Sequence, residues 1–268
     1  MRIKYSILDP TGNITALVES EAEEEQRQNT AAGIMRLHPE VEQVGFLTPA
    51  GSDGLPSLQM AGGEFCGNAT MCAAALLSLR VSAGDTVRLH VSGAAQPLEV
   101  KLRRNGADAF QAELQMPPAI EITEQAFTFE DLCGKLPLVH MEGISHLIVQ
   151  SQSPFFALLN DLKAAEHAVK AFCAELSADG LGLLFLEGEG QERCMTPLVY
   201  IPGSGTVFWE NSCASGSAAV GMYLAAADGA QTGVSLREPG GVLQVTSDPT
   251  GTRLRGSVRF TASHIIEV

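Results

Sequence analysis

Two hydrophobic periods run through the chain. Strict alternation occupies LEVKLRR (98–104) and FQAELQM (110–116), which predicts strands with one buried face. The stretch CGNATMCAAALLSLR (66–80) is instead apolar or small on nearly every face, so it predicts a helix enclosed by sheet rather than one lying on a surface. Further helices are expected around 22–37 and 160–177. In the first of these, Glu21, Glu23, Glu24 and Glu25 suit the positive end of the helix dipole and read as a solvated helix start. Consecutive prolines in MPPA (116–119) can neither continue a helix nor donate to a central sheet. They divide the chain into an N-terminal lobe, 1–117, and a C-terminal lobe, 118–268. The last strand, LRGSVRFTASHIIEV, either completes the second lobe or crosses back to the first.

The two lobes carry the same succession of segments. GNITALV beginning at Gly12 parallels SHLIVQS at Ser145, and EQVGFL (42–47) parallels GLGLLFL (180–186). A cysteine segment follows in each: MAGGEFCGNATMCAAALL around Cys66 and VFWENSCASGSAAVGMYLA around Cys213, 147 residues later (213 minus 66). After each comes an extended segment broken at glycine, VRLHVSGAAQPLEVKL and VSLREPGGVLQVTS.

Composition narrows the partners. The chain has 268 residues, 45% hydrophobic and 18% charged, a globular balance. A formal net charge of −14 argues against nucleic acid or an anionic membrane surface as partner. MRIKYSILDP has no export-signal pattern, and no apolar run reaches the length of a membrane span. A cytoplasmic protein with free thiols is expected. The six cysteines (66, 72, 133, 173, 194, 213) form neither a CxxC pair nor a short Cys/His cluster, and no P-loop or GxGxxG fingerprint is present. No metal or other cofactor is expected; the partner is a small molecule, and a homodimer is left open.

The chemistry concentrates at the two cysteines. Gly67 and Asn68 follow Cys66, and Ala214 and Ser215 follow Cys213, so each thiol would stand where the first free amides of a helix point outward. Asn68 and Ser215 are residue types that cap helices. Two such starts facing one cleft would hold a carboxylate and stabilise charge developing toward it as an α-proton leaves. One thiolate would take that proton while the opposite thiol donates another, inverting the carbon.

These segments, their repetition and the length resemble the diaminopimelate epimerase family of cofactor-independent amino acid racemases and epimerases, with kinship to proline racemases and the phenazine-biosynthesis isomerases. The resemblance covers essentially the whole chain. It implies an α+β fold of two pseudo-symmetric lobes, each a β-barrel-like sheet wrapped around a central helix. GGEFCGNATM, EQVGF, VFWENSC and EPGG look most like the branch that racemises histidine in staphylopine-type metallophore biosynthesis. That likeness implies Cys66 and Cys213 as the acid–base thiols and Asn13 as a contact to the amino acid backbone. It also implies Gly67, Asn68, Ala214 and Ser215 as amide donors, with Glu42 and Gln43 lining the substrate pocket. A carboxylate at Glu42 is able to accept an imidazole N–H, which would select histidine.

Departures from the family sharpen the substrate. FWENSC has no arginine before the second cysteine to bind a distal carboxylate, and GISH has Ile144 where the family carries asparagine, while retaining His146. CGNATMC replaces CGNGARC. Histidine is therefore the expected substrate, with diaminopimelate or another amino acid as the alternative and a non-catalytic binding module as the third reading.

Other residues carry paired readings. His146 is either a group behind the substrate or a satisfied core histidine. Glu210 either binds the substrate ammonium or caps a turn, and Glu64 poses the same question. Trp209 walls the pocket or fills the core. Cys72, Cys133, Cys173 and Cys194 are expected to be packing residues.

Overall fold

The structure is a computed structural model that describes residues 2–20, 22–81, 85–229 and 231–267. The chain forms two compact units: residues 1–116 with 254–268, and residues 117–253.

In the first unit, strands β1 (Arg2–Asp9), β2 (Thr15–Val18), helix α1 (Glu24–Leu37), β3 (Gln43–Thr48) and β4 (Ser57–Met60) lead to helix α2 (Gly67–Val81). Strands β5 (Thr86–Val91), β6 (Leu98–Arg104) and β7 (Ala109–Met116) follow. The expected alternation holds in β6 and β7, where every second side chain is buried. Hydrogen bonding runs β1 to β7 in order, and the chain's last strand pairs both with β7 and antiparallel with β1, closing the sheet on itself. Closure removes the exposed edges that an open sheet presents. Helix α2 packs on β2, β3, β5, β6 and β7, so the sheet wraps it. Ala69, Met71, Cys72, Ala73, Ala74, Ala75 and Leu76 are buried in succession, as a helix without a polar face requires.

Helix α1 begins at Glu24 rather than near 22. Glu23 stands at its N-cap without a side-chain bond, Glu24 and Glu25 lie in its first turn, and Glu21 falls outside the described residues.

The second unit contains β8 (Glu121–Phe129), β9 (Leu132–Met141), β10 (Ile144–Gln150), a 3₁₀ turn (Pro154–Asn160) and α3 (Leu162–Leu176). Then come β11 (Leu181–Glu187), β12 (Glu192–Ile201), β13 (Thr206–Trp209), α4 (Ala214–Asp228), β14 (Thr232–Glu238) and β15 (Gly241–Asp248). The sheet order is β8-β9-β10-β11-β12-β14-β15, with β13 paired to β12. Helix α4 packs on β9, β10, β14 and β15, while α3 and the 3₁₀ turn cover an aromatic core of Phe127, Phe155, Phe172 and Phe185. The final strand, β16 (Gly251–Glu267), begins in this unit and, from Leu254 on, belongs to the first.

The repeat read from sequence is a repeat of topology. β2 pairs parallel with β3 across helix α1, and β10 pairs parallel with β11 across helix α3. GNITALV and SHLIVQS supply the first strand of each pair, EQVGFL and GLGLLFL the second. Among the described residues, no helix is long and apolar enough to cross a membrane.

Candidate active site

Each unit places its cysteine at the start of its enclosed helix and holds it in the same way. In the first unit, the Ala69 N–H donates to Cys66 Sγ at 3.3 Å and the Thr70 N–H to the Cys66 carbonyl at 3.0 Å. In the second, the Gly216 N–H donates to Cys213 Sγ at 3.4 Å and the Ser217 N–H to the Cys213 carbonyl at 2.8 Å. The sulfur itself caps the helix, three residues before its donor. This corrects the expectation that Asn68 and Ser215 act as caps: both lie inside the first turn, and Cys213 is the N-cap of α4. A thiolate in this position faces amide hydrogens and the positive end of the helix dipole, both of which favour its charged form.

The surroundings of the two thiols differ. Cys66 donates its S–H to the Gln43 side-chain oxygen at 2.5 Å, so Gln43, at the start of β3, contacts the thiol itself. The neighbouring Glu42 accepts from Asn13 Nδ2 at 3.0 Å. Asn13 is fully buried at the end of a tight turn in which Thr11 and Gly12 adopt positive φ, and its side-chain oxygen has no hydrogen-bond partner. An oriented, unpaired buried acceptor is the chemistry that meets an ammonium or an N–H donor. The Asn13–Glu42 and Gln43–Cys66 contacts thus arise at adjacent residues of one segment, and Gly67 and Asn68 follow Cys66 at the start of α2. Glu64, two residues before Cys66, has one carboxyl oxygen buried without a partner, and burial raises its pKa.

In the second unit, burial pushes the Cys213 thiol well up, and the Glu210 and Glu238 carboxylates push it further, Glu210 also by a hydrogen bond. The Ala214 and Ser215 N–H groups have no acceptor among the described residues, which leaves two adjacent helix-start amides available to an anion. The first turn is packed tightly. A Cβ on Gly216 would stand 2.7 Å from a terminal methyl of Leu184 and 3.1 Å from Cys213 Sγ, so a side chain there requires both neighbours to give way beside the thiol.

His146 lies on β10, fully buried, with neither ring nitrogen hydrogen-bonded. Burial lowers its pKa to about 3, which keeps the ring neutral. Among the described residues the His146 ring therefore has no internal hydrogen-bond partner. The strand facing it carries Gly182, where any Cβ would collide with the ring. Trp209 stacks on Phe185 at 5.9 Å between ring centroids and donates its indole N–H to Glu166, so it covers the α3 core.

Among the other cysteines, Cys72 and Cys173 are buried, whereas Cys133 and Cys194 are exposed, against the expectation that all four pack. Those two sit on β9 and β12, at positions turned to solvent by the strand alternation.

Sequence reasoning passed over Glu238 and Ser217. Glu238 is 4% exposed, accepts the Cys213 N–H at 2.6 Å and accepts the Ser217 hydroxyl at 2.5 Å. The signal that would have found it is the repeat: the residue 147 positions earlier is Val91, an apolar core residue.

Solved structures share the fold across the chain. A predicted epimerase from Pseudomonas aeruginosa superposes with a TM-score of 0.70 at 16% identity, covering 99% of each chain. A hydroxyproline epimerase from Agrobacterium vitis, with trans-4-hydroxy-L-proline bound, superposes with a TM-score of 0.67 at 12% identity, covering 99% of this chain and 92% of that one. This is the diaminopimelate epimerase-like fold, and the protein is an amino acid racemase, an isomerase. More narrowly, the chain belongs to the histidine racemase family: residues 2–263 match the family model of the histidine racemase CntK N-terminal domain. A histidine racemase of Fusobacterium nucleatum subsp. nucleatum is 32% identical over 226 residues, which cover 81% of this chain and 78% of that protein.

Proposed function

We propose that the protein interconverts L- and D-histidine by a two-base mechanism in which Cys66 and Cys213 act on opposite faces of one α-carbon. The observation that carries this reading is the matched pair of helix starts, each with a sulfur accepting the N–H three residues on. One thiolate takes the α-proton as the Cα–H bond breaks, and the electron pair moves into the substrate carboxylate. The opposite S–H then supplies the proton that forms the new Cα–H bond. The free Ala214 and Ser215 amides and the α4 dipole suit the negative charge that gathers on the carboxylate. Asn13 offers its open oxygen to the ammonium, and Glu42 orients that amide while its carboxylate serves the imidazole N–H. Membership of the histidine racemase family and the absence of an arginine in FWENSC support histidine over a substrate with a distal carboxylate.

The test is solvent deuterium incorporation at Cα across a panel of amino acids. Exchange into both enantiomers of histidine, well above that into any other amino acid, is expected. A preference for diaminopimelate would overturn the substrate assignment.

A further inference from the structure

The two helix starts diverge at one position of the repeat. Thr70 and Ser217 are 147 residues apart, as Cys66 and Cys213 are, and both carry a hydroxyl in the first turn. In the first unit that hydroxyl donates back to the Cys66 carbonyl at 2.7 Å, and the residue beneath is the buried Val91. In the second unit Val91 is replaced by Glu238, and the hydroxyl turns to it. Glu238 has one oxygen on the Cys213 N–H and the other on the Ser217 hydroxyl, and among the described residues it pairs with no cation. A carboxyl group in a core position costs stability unless it serves something.

We propose that Glu238 is a positioning residue that makes the two thiols unequal. By accepting Cys213's own N–H and the Ser217 hydroxyl, it fixes the first turn of α4 and sets a second carboxyl beside Sγ, so that Cys213 carries a proton when substrate arrives. This rests on the reading of Cys213 as an acid–base thiol. In the first unit Val91 stands at the position of Glu238 and the Cys66 thiol donates to the Gln43 side-chain oxygen; the carboxyl groups near it in sequence are Glu64, two residues before, and Glu42, beside Gln43. Helix α4 packs against β9, β10, β14 and β15, where the buried titratable side chains are His146 and Glu238. His146 stays neutral, so the charges that act on Cys213 as its thiol titrates are Glu238, ionised above about pH 8, and, from the segment after β13, Glu210. Both raise its pKa, after burial.

The experiment is the pH profile of alkylation of the intact protein by iodoacetamide, read separately at each cysteine by peptide mass spectrometry. The variants are Glu238→Gln and the double change Glu238→Val with Ser217→Thr, which rebuilds the first unit's arrangement, so the measurement survives if one of them does not fold. In both, the Cys213 midpoint is expected to move roughly one pH unit lower, as removal of an adjacent like charge requires, while the Cys66 midpoint stays in place. Racemisation should lose kcat with little change in KM. A Cys213 profile identical to wild type in a folded variant overturns the proposal, whatever the activity. Failure of the two-thiol reading would show differently, as racemisation that survives Cys213→Ser.

Discussion

Replacing His146 by leucine should tilt the pH dependence of stability in the second unit, and replacing Glu238 by glutamine should tilt it the other way. His146 has an ordinary pKa of 6.5 and a folded value near 3, so below pH 6.5 the unfolded chain binds a proton that the folded chain refuses. Its contribution is present above pH 6.5 and is lost as pH falls, by about 1.4 kcal/mol per unit. Glu238 is the mirror case, with 4.5 raised to about 8 by burial. Its contribution is fully present below pH 4.5 and is lost as pH rises through 8, again by about 1.4 kcal/mol per unit. Between pH 4.5 and 6.5 the two slopes oppose and cancel. From pH 6.5 to 5.0, His146→Leu should therefore gain about 2 kcal/mol relative to wild type, and Glu238→Gln should lose about 2 kcal/mol. Guanidinium unfolding followed by the fluorescence of Trp209, the single tryptophan, reads the unit that holds both residues. Stability curves for the two variants that run parallel to wild type across this range would refute the assignment of both buried charge states.

Other predictions follow from the geometry around the thiols. Gly216→Ala forces a methyl against Leu184 and Cys213 Sγ; overpacking of about 1–3 kcal/mol outweighs the helix-propensity gain of up to about 1 kcal/mol, and racemisation should fall by about tenfold or more as the sulfur is displaced. Thermal unfolding and steady-state rates measured together check both effects, and unchanged activity would count against the close packing. Asn13→Ala removes both the open acceptor and the bond to Glu42, so KM should rise by about tenfold, the equivalent of one hydrogen bond of about 1.4 kcal/mol. A titration with alkylating agent should modify the exposed Cys133 and Cys194 first without loss of activity, and inactivation should track Cys66 and Cys213, with chelators having no effect.

What the sequence revealed depended on how local the cause was. The enclosure of α2 was legible because an apolar run with no polar face admits no surface position, and the alternation in LEVKLRR and FQAELQM wrote itself into β6 and β7. The matching places of Cys66 and Cys213 at two helix starts were legible through repetition. Their capping role was not, because cysteine is an uncommon cap and the adjacent Asn68 and Ser215 drew the assignment by type. Glu238 was hidden in EPGG, which reads as a turn; only the offset comparison with Val91 exposes a charge set in a core position. Cys133 and Cys194 escaped because a strand's facing is set by its register with its neighbours, a long-range property. The open nitrogens of His146 depend on which groups the fold leaves out of reach, and no local pattern encodes that.

In the proposed reaction both thiols move protons. Racemisation of L-histidine and of D-histidine in deuterium oxide, followed by chiral chromatography and mass spectrometry for wild type, Cys66→Ser and Cys213→Ser, tests it most directly. The account predicts a single solvent deuterium at Cα of the inverted product in wild type and loss of inversion by at least about a thousandfold in each serine variant, the scale on which removing a catalytic acid or base acts. Inversion at the wild-type rate by either serine variant would contradict it.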